Sequence, residues 1–259
     1  MGGRSRFSIP FHHELDGVLG SRAAAEVIVP MVMARIRPES VLDLGAGVGS
    51  FMRVFLDHGV TDVAGVDLGD VAPELLVVPA GLITGADLND PVDQHRRYDV
   101  ALCLEVAGYL SNHEVLVASL VRHAPVVLFS SAVPHQDLPN QPYGAFPTEW
   151  VRLFSTHDYE VLDVFRPTLW TDRRVPFWFR QNLLMFVDRA HLQVHPELAT
   201  PPAVPAPLDV VHPELFETLV GTGPDASLRR ALGRLPKITR AKLPLVAAKV
   251  RKRAPARTP

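Results

Sequence analysis

The sequence predicts an α/β fold: a doubly wound, mostly parallel sheet of seven strands that closes with a terminal antiparallel strand pair. Three observations lead there. Short apolar stretches alternate with stretches of helical spacing from residue 40 to residue 131. Each of those short stretches is apolar along most of its length, as strands buried on both faces are. The last two strand-like stretches, Tyr159–Phe165 and Trp178–Val187, have no helical stretch of useful length between them. Strands joined without a crossover helix should run antiparallel.

Taken in order, residues 12–37 place Leu15, Val18, Leu19, Ala23, Val27, Met31 and Ala34 at helical spacing, and Pro38 ends the pattern. Ser40 to Gly45 is a buried strand that runs into glycines. Ser50–His58 returns to helical spacing and stops at Gly59. Strands follow at 62–67, more weakly at 81–87, and at 98–105; a helix near 113–123 leads to a fifth strand at 125–131. Pro147 opens a helix that reaches Asp158. Residues 196–213 carry six prolines and read as a linker or surface strap, and 214–220 as one or two helical turns.

With 259 residues, 47% of them hydrophobic and 21% charged, the chain supports a sizeable core rather than wholesale disorder. Its apolar runs are broken by Pro, Asp or Arg, so no membrane span is expected. The first seventeen residues lack an apolar h-region, so no secretory signal is expected. Cys103 is the only cysteine and falls inside a strand, as a buried hydrophobe would; a lone thiol fits a reducing cytoplasm. From Ala226 onward there are 11 Lys or Arg and no acidic residue, while 1–225 hold 15 basic and 28 acidic residues. An acidic body argues against nucleic acid as its partner. The basic tail suits an anionic surface, a charged partner, the acidic body itself, or plain solvation.

The chemistry centres on Asp43-Leu-Gly45-Ala-Gly47-Val-Gly49-Ser50. A strand ends, the chain turns through three glycines, and a helix begins. Glycines admit a ligand against the backbone, and the helix start offers free N–H groups. Asp43 would repel a pyrophosphate but accept hydrogen bonds from an ammonium group. S-adenosylmethionine carries an ammonium and a sulfonium and so matches it. The Gly-x-Gly-x-Gly spacing, with Asp43 before it, counts against the rival nicotinamide-dependent oxidoreductase. Asp67 ends the second strand 18 residues after Gly49, where a carboxylate takes ribose hydroxyls; Leu68 follows it. Asp87 is placed for an adenine amino group, Leu88 for covering the ring, and Glu105 ends the fourth strand at the ligand-binding rim. The plainer alternatives are a helix cap at Asp67 or Glu105 and a solvated turn at Asp87.

In this order, the pattern at 43–49, Gly65-Val-Asp67, Ala86-Asp87, Tyr98-Asp99-Val with Leu104-Glu105-Val106-Ala107, and the closing strand pair resemble the class I S-adenosylmethionine-dependent methyltransferase family over roughly 35–190. The resemblance implies a Rossmann-like methyltransferase domain at 38–190. The residues outside it read as a helical lid segment at 1–37, a Pro-rich strap at 191–225 and a basic tail at 226–259. It implies S-adenosylmethionine as cofactor, held by Asp43, Gly45, Gly47, Gly49, Asp67, Leu68, Asp87, Leu88 and Glu105. Where the family usually continues Leu-Glu-Val-Ala with Glu-His, this chain has Gly108-Tyr109, so no base is carried over from that position. The loop from Pro134 to Tyr143, Arg166-Pro167 and Trp178–Asn182 resemble a subgroup associated with sugar or secondary-metabolite modification.

His135, on the loop after the fifth strand, is the candidate general base, since an imidazole suits removal of a hydroxyl proton; the alternative is a surface loop histidine. His12, His13, Asp137, Asn140, Tyr143 and Trp170 are candidate substrate contacts. Trp150, Trp170 and Trp178 would form either a stacking wall for a sugar ring or core. No spacing points to a metal site. The expected reaction is methyl transfer to a hydroxyl of a small molecule, a saccharide or secondary metabolite. The alternatives are N-methylation of a small amine, the oxidoreductase named above, or a non-catalytic binding module.

Overall fold

The computed structural model describes residues 21–68, 71–136, 143–200 and 207–220. His12, His13, Asp137 and Asn140 lie outside them, as does the basic tail. The chain divides into two units, 1–212 and 213–259.

In the first unit, α1 (Ser21–Arg35) precedes β1 (Ser40–Leu44), α2 (Ser50–Asp57), β2 (Asp62–Asp67), β3 (Ile83–Gly85), β4 (Val100–Leu104), α3 (His113–His123) and β5 (Val126–Ser130). Then come α4 (Pro147–Ser155), β6 (Tyr159–Leu162), α5 (Arg166–Leu169), α6 (Phe177–Asn182), β7 (Leu184–Asp188) and α7 (Arg189–Val194). The strands form one seven-stranded sheet in the order β3-β2-β1-β4-β5-β7-β6. β1 to β5 pair in parallel, and β7 runs antiparallel to both β5 and β6. The predicted architecture is the one observed.

Side chains alternate between the two faces, as strand geometry requires. Val126 and Leu128 of β5 join the cluster under α1 and α2, whereas Val127 and Phe129 join the cluster under α3 and α4. Strands β1 and β5 are buried along their whole length, which is why they read as continuous apolar runs. In the second cluster Phe154 stacks on Phe186 with ring centroids 3.9 Å apart, and Phe129 meets Phe154 edge-on at 5.5 Å. Each such pair contributes about 0.5–1.5 kcal/mol beyond simple burial.

The structure corrects the expected final strand. Residues 177–182 are helical and only Leu184–Asp188 is strand. Apolar content alone does not separate the two states over so short a stretch. The helical turn starts behind Pro176 and carries Arg180, Gln181 and Asn182 inward to hydrogen-bond partners. With α5 this makes two short helices between β6 and β7, yet neither builds a crossover and the strands stay antiparallel. The weak third strand shrinks to three residues. The proline-rich strap opens with α7, capped by the Asp188 carboxylate accepting from the His191 amide, and a 3-10 turn at Pro196–Ala199. Arg35 of α1 donates to the carbonyls of Leu198 and Thr200 and ties that segment down. In the second unit the described residues form α8 (Pro213–Val220).

Candidate functional site

The carboxyl ends of β1, β2, β4 and β5 meet at one edge, where open α/β sheets take their ligands. The turn after β1 holds Gly45, Gly47 and Gly49 at φ of 89°, 55° and 88°, a region that side chains rarely enter. The three glycines differ in what surrounds them. A Cβ on Gly45 would fall 2.2 Å from Val106 Cγ2, and one on Gly49 would fall 2.6 Å from Val78 Cγ2. A Cβ on Gly47 would meet nothing within 4 Å. Thus two glycines are packed by the chain itself and the middle one borders open space.

Two carboxylates flank this turn. Asp67 is half-buried; its Oδ2 accepts from the Gly47 amide at 2.8 Å and its Oδ1 from the Leu68 amide at 2.8 Å. Asp43 is 4% exposed, and among the described residues its carboxyl has no hydrogen-bond partner. Burial first, and the negative charge of Asp67 second, push it up to about 7. A buried carboxyl in that state is relieved by a cation.

The other candidates occupy distinct surroundings. Leu68 is half-exposed beside Asp67. Asp87 is exposed and accepts from the amide and the side chain of Asn89. Asn89 in turn accepts from the Ser111 and Asn112 amides at the start of α3. Leu88 is buried in the cluster that includes Val66, Val92 and Leu110. Tyr143 is exposed, its ring edge-on to His113 at 6.4 Å. Trp170 is half-buried against the His212 ring. Trp150 belongs to one face of the core and Trp178 packs against the other, so the three tryptophans make no common wall. Cys103 is fully buried and its thiol is pushed up by that burial. Among the described residues no three or more His, Cys, Asp or Glu gather as a metal site.

Glu105 follows β4 with a left-handed backbone, φ 60°, and is half-buried. Its Oε2 accepts from Gln136 Nε2 at 3.1 Å and its Oε1 from Asn182 Nδ2 at 3.2 Å. Asn182 Nδ2 also reaches Gln136 Oε1, and Gln181 Nε2 donates to Asn182 Oδ1. His135 itself is exposed, again in a left-handed turn, and its neighbour Gln136 is the residue that points inward. Sequence reasoning missed this group of carboxamides. The only trace of it is a polar Arg-Gln-Asn run inside an apolar stretch.

A Rossmann-like sheet with a glycine turn and a carboxylate at each of its first two strand ends defines an adenosine-cofactor domain. The chain matches the model of the methyltransferase domain over residues 13–162 and belongs to that family. Its cofactor is S-adenosylmethionine. No curated protein sequence matches it.

Among solved structures, it is similar to the sugar N-methyltransferase KedS8 from a Streptoalloteichus species. The match has 18% identity and a TM-score of 0.53 over 73% of this chain and 96% of that one. The plantazolicin methyltransferase BpumL in complex with SAH matches at 16% identity and a TM-score of 0.51, over 70% and 91%. DesVI of Streptomyces venezuelae, at 20% identity and a TM-score of 0.40, is matched over 53% of this chain and only 62% of its own length. The first two likenesses establish the methyltransferase fold. Among the described residues no helix is long and apolar enough to cross a membrane.

Proposed function

We propose that this protein transfers a methyl group from S-adenosylmethionine to a hydroxyl of a small cytoplasmic molecule, a saccharide or a secondary metabolite. The observation that carries the reading is the pairing of the buried Asp43 carboxyl, without a hydrogen-bond partner among the described residues, with the open face of Gly47. The residues present fit the cofactor. Asp43 would take its ammonium group, and Gly47 leaves the backbone bare for close approach. Asp67 would accept from its ribose hydroxyls, with Leu68 and Asp87 further along the same edge. Bound there, the cofactor supplies an electrophilic methyl on a sulfonium.

The protein's own contribution is to hold acceptor and methyl in line, exclude water and take a proton from the acceptor. Around the Glu105 carboxyl at this edge stand Ser130, Gln136, Gln181 and Asn182, buried hydrogen-bonding side chains. These donors and acceptors suit the hydroxyls of a saccharide-like acceptor.

Calorimetry with S-adenosylmethionine and S-adenosylhomocysteine tests the cofactor site. Asp43→Ala with Asp67→Ala should weaken both ligands at least a hundredfold. Unchanged affinity in the double variant, or tight binding of NAD in their place, overturns the reading. Labelled-methyl transfer to matched hydroxyl and amine acceptors tests the second half.

A further inference from the structure

We infer that Glu105 is the acid–base group of this site: its carboxylate, clamped between the carboxamides of Gln136 and Asn182, faces the transferred methyl and takes the proton of the acceptor. The inference rests on the methyl-transfer reading above and assigns to Glu105 the role that the sequence suggests for His135.

Placement comes first. Val106 presses on Gly45, so the residue before it stands directly beside the glycine turn. The left-handed backbone at Glu105 is costly for a residue with a side chain and persists only where its surroundings enforce it. Here the Glu105 amide donates to the Ser130 carbonyl at 2.9 Å and to Ser130 Oγ at 3.1 Å. Such strain accompanies a side chain that must be aimed.

The clamp is itself held. Gln136 Oε1 accepts from the Val133 amide and from Asn182 Nδ2, and Asn182 Oδ1 accepts from Gln181 Nε2. Both amide oxygens are thus occupied elsewhere, which leaves the two NH2 groups turned toward the carboxylate. Gln136 Nε2 and Asn182 Nδ2 reach one carboxylate oxygen each, and both donors are buried.

Burial pushes the Glu105 carboxyl up to about 7, while hydrogen bonds from Asn182, Ser130 and Gln136 pull the other way. Ser130 of β5, Gln136 of the segment after it and Asn182 of α6 meet it with neutral groups, and α6 also carries the buried Arg180. On its own strand Cys103 is the titratable neighbour, and Cys103 in turn feels the charge of Asp43 on β1. A base whose midpoint lies near the working pH is efficient in proton transfer. As the hydroxyl oxygen attacks, its lone pair becomes the new C–O bond and the C–S pair stays on sulfur. The hydroxyl proton passes to Glu105, which returns it to water after product leaves.

Proton release on ligand binding tests this without any acceptor. S-adenosylmethionine and S-adenosylhomocysteine share the ammonium that Asp43 would meet, and only the first carries a sulfonium charge. If Glu105 faces that charge, its binding at pH 7 drives off more protons, by up to about half a proton for a carboxyl with its midpoint near 7. Calorimetry in buffers of different ionisation enthalpy measures the difference. Glu105→Gln should abolish it while S-adenosylhomocysteine still binds measurably. Should that variant fail to fold, Gln136→Leu serves: losing one donor raises the midpoint and moves the excess release to higher pH. Equal release for the two ligands, or an excess that survives Glu105→Gln or does not move in Gln136→Leu, overturns the assignment while the cofactor reading stands. Failure of either ligand to bind overturns both.

Discussion

Gly45 and Val106 are packed so closely that a Cβ on the glycine would lie 2.2 Å from one valine methyl and 2.8 Å from the other. The β1 turn and the segment after β4 therefore form one rigid edge. Gly45→Ala meets two penalties, a left-handed backbone costing about 1–2 kcal/mol and overpacking costing about 1–3 kcal/mol. Urea denaturation should show a loss within the sum of those ranges. Adding Val106→Ala should recover the packing part and leave the backbone part.

Gly47→Ala should behave differently. Its φ is also positive, but the new methyl would enter open space. Stability should fall by only about 1–2 kcal/mol. If Gly47 borders the cofactor as proposed, the new methyl would stand in its path, and cofactor affinity should fall much further. Denaturation and calorimetry on the same variant separate the two effects.

The pH dependence of stability has a definite sign. Asp43 and Glu105 are raised from 3.8 and 4.5 to about 7 in the folded protein. Between about pH 4 and about pH 7 the folded state then holds protons that the unfolded state has released, so their contribution is complete below that window and lost as pH rises through it. The melting temperature of the cofactor-free protein should fall across this range. Asp43→Asn should flatten the slope and leave the variant more stable than the parent at pH 8.

Arg166 is 3% exposed and forms a buried ion pair with Asp163, donating through Nε at 2.9 Å and Nη2 at 2.6 Å. Its Nη1 donates to the carbonyls of Gln181 and Leu208. Removing one partner of such a pair leaves a buried charge and costs about 3–5 kcal/mol. Arg166→Met should show a loss of that size in chemical denaturation, and Asp163→Asn together with it should cost less than the two changes summed.

Much of this architecture is legible in the residues alone, for reasons of period and spacing. Buried parallel strands read as apolar runs, and Asp43, Gly45, Gly47, Gly49 and Asp67 are fixed by one turn and one strand end. Helix α3 falls where its spacing put it. What escapes is whatever depends on distant segments meeting. Gln136 and Asn182 are 46 residues apart and join only because β7 inserts beside β5. The stretch 177–182 misleads because aromatic and apolar residues suit a strand and a buried helical turn equally; its polar members find partners only in the assembled fold.

The sheet order also dictates when the molecule can be finished. Among the described residues β7 is the last strand synthesised, yet it lies between β5 and β6, and β6 meets the sheet only through it. A nascent chain halted before Leu184 would leave the β5 margin bare and β6 without a berth. Such an intermediate is open to edge-to-edge association with other chains. Completion of the carboxylate clamp and closure of the sheet are therefore a single late event in biosynthesis, with Asn182 arriving just ahead of the strand that seals it.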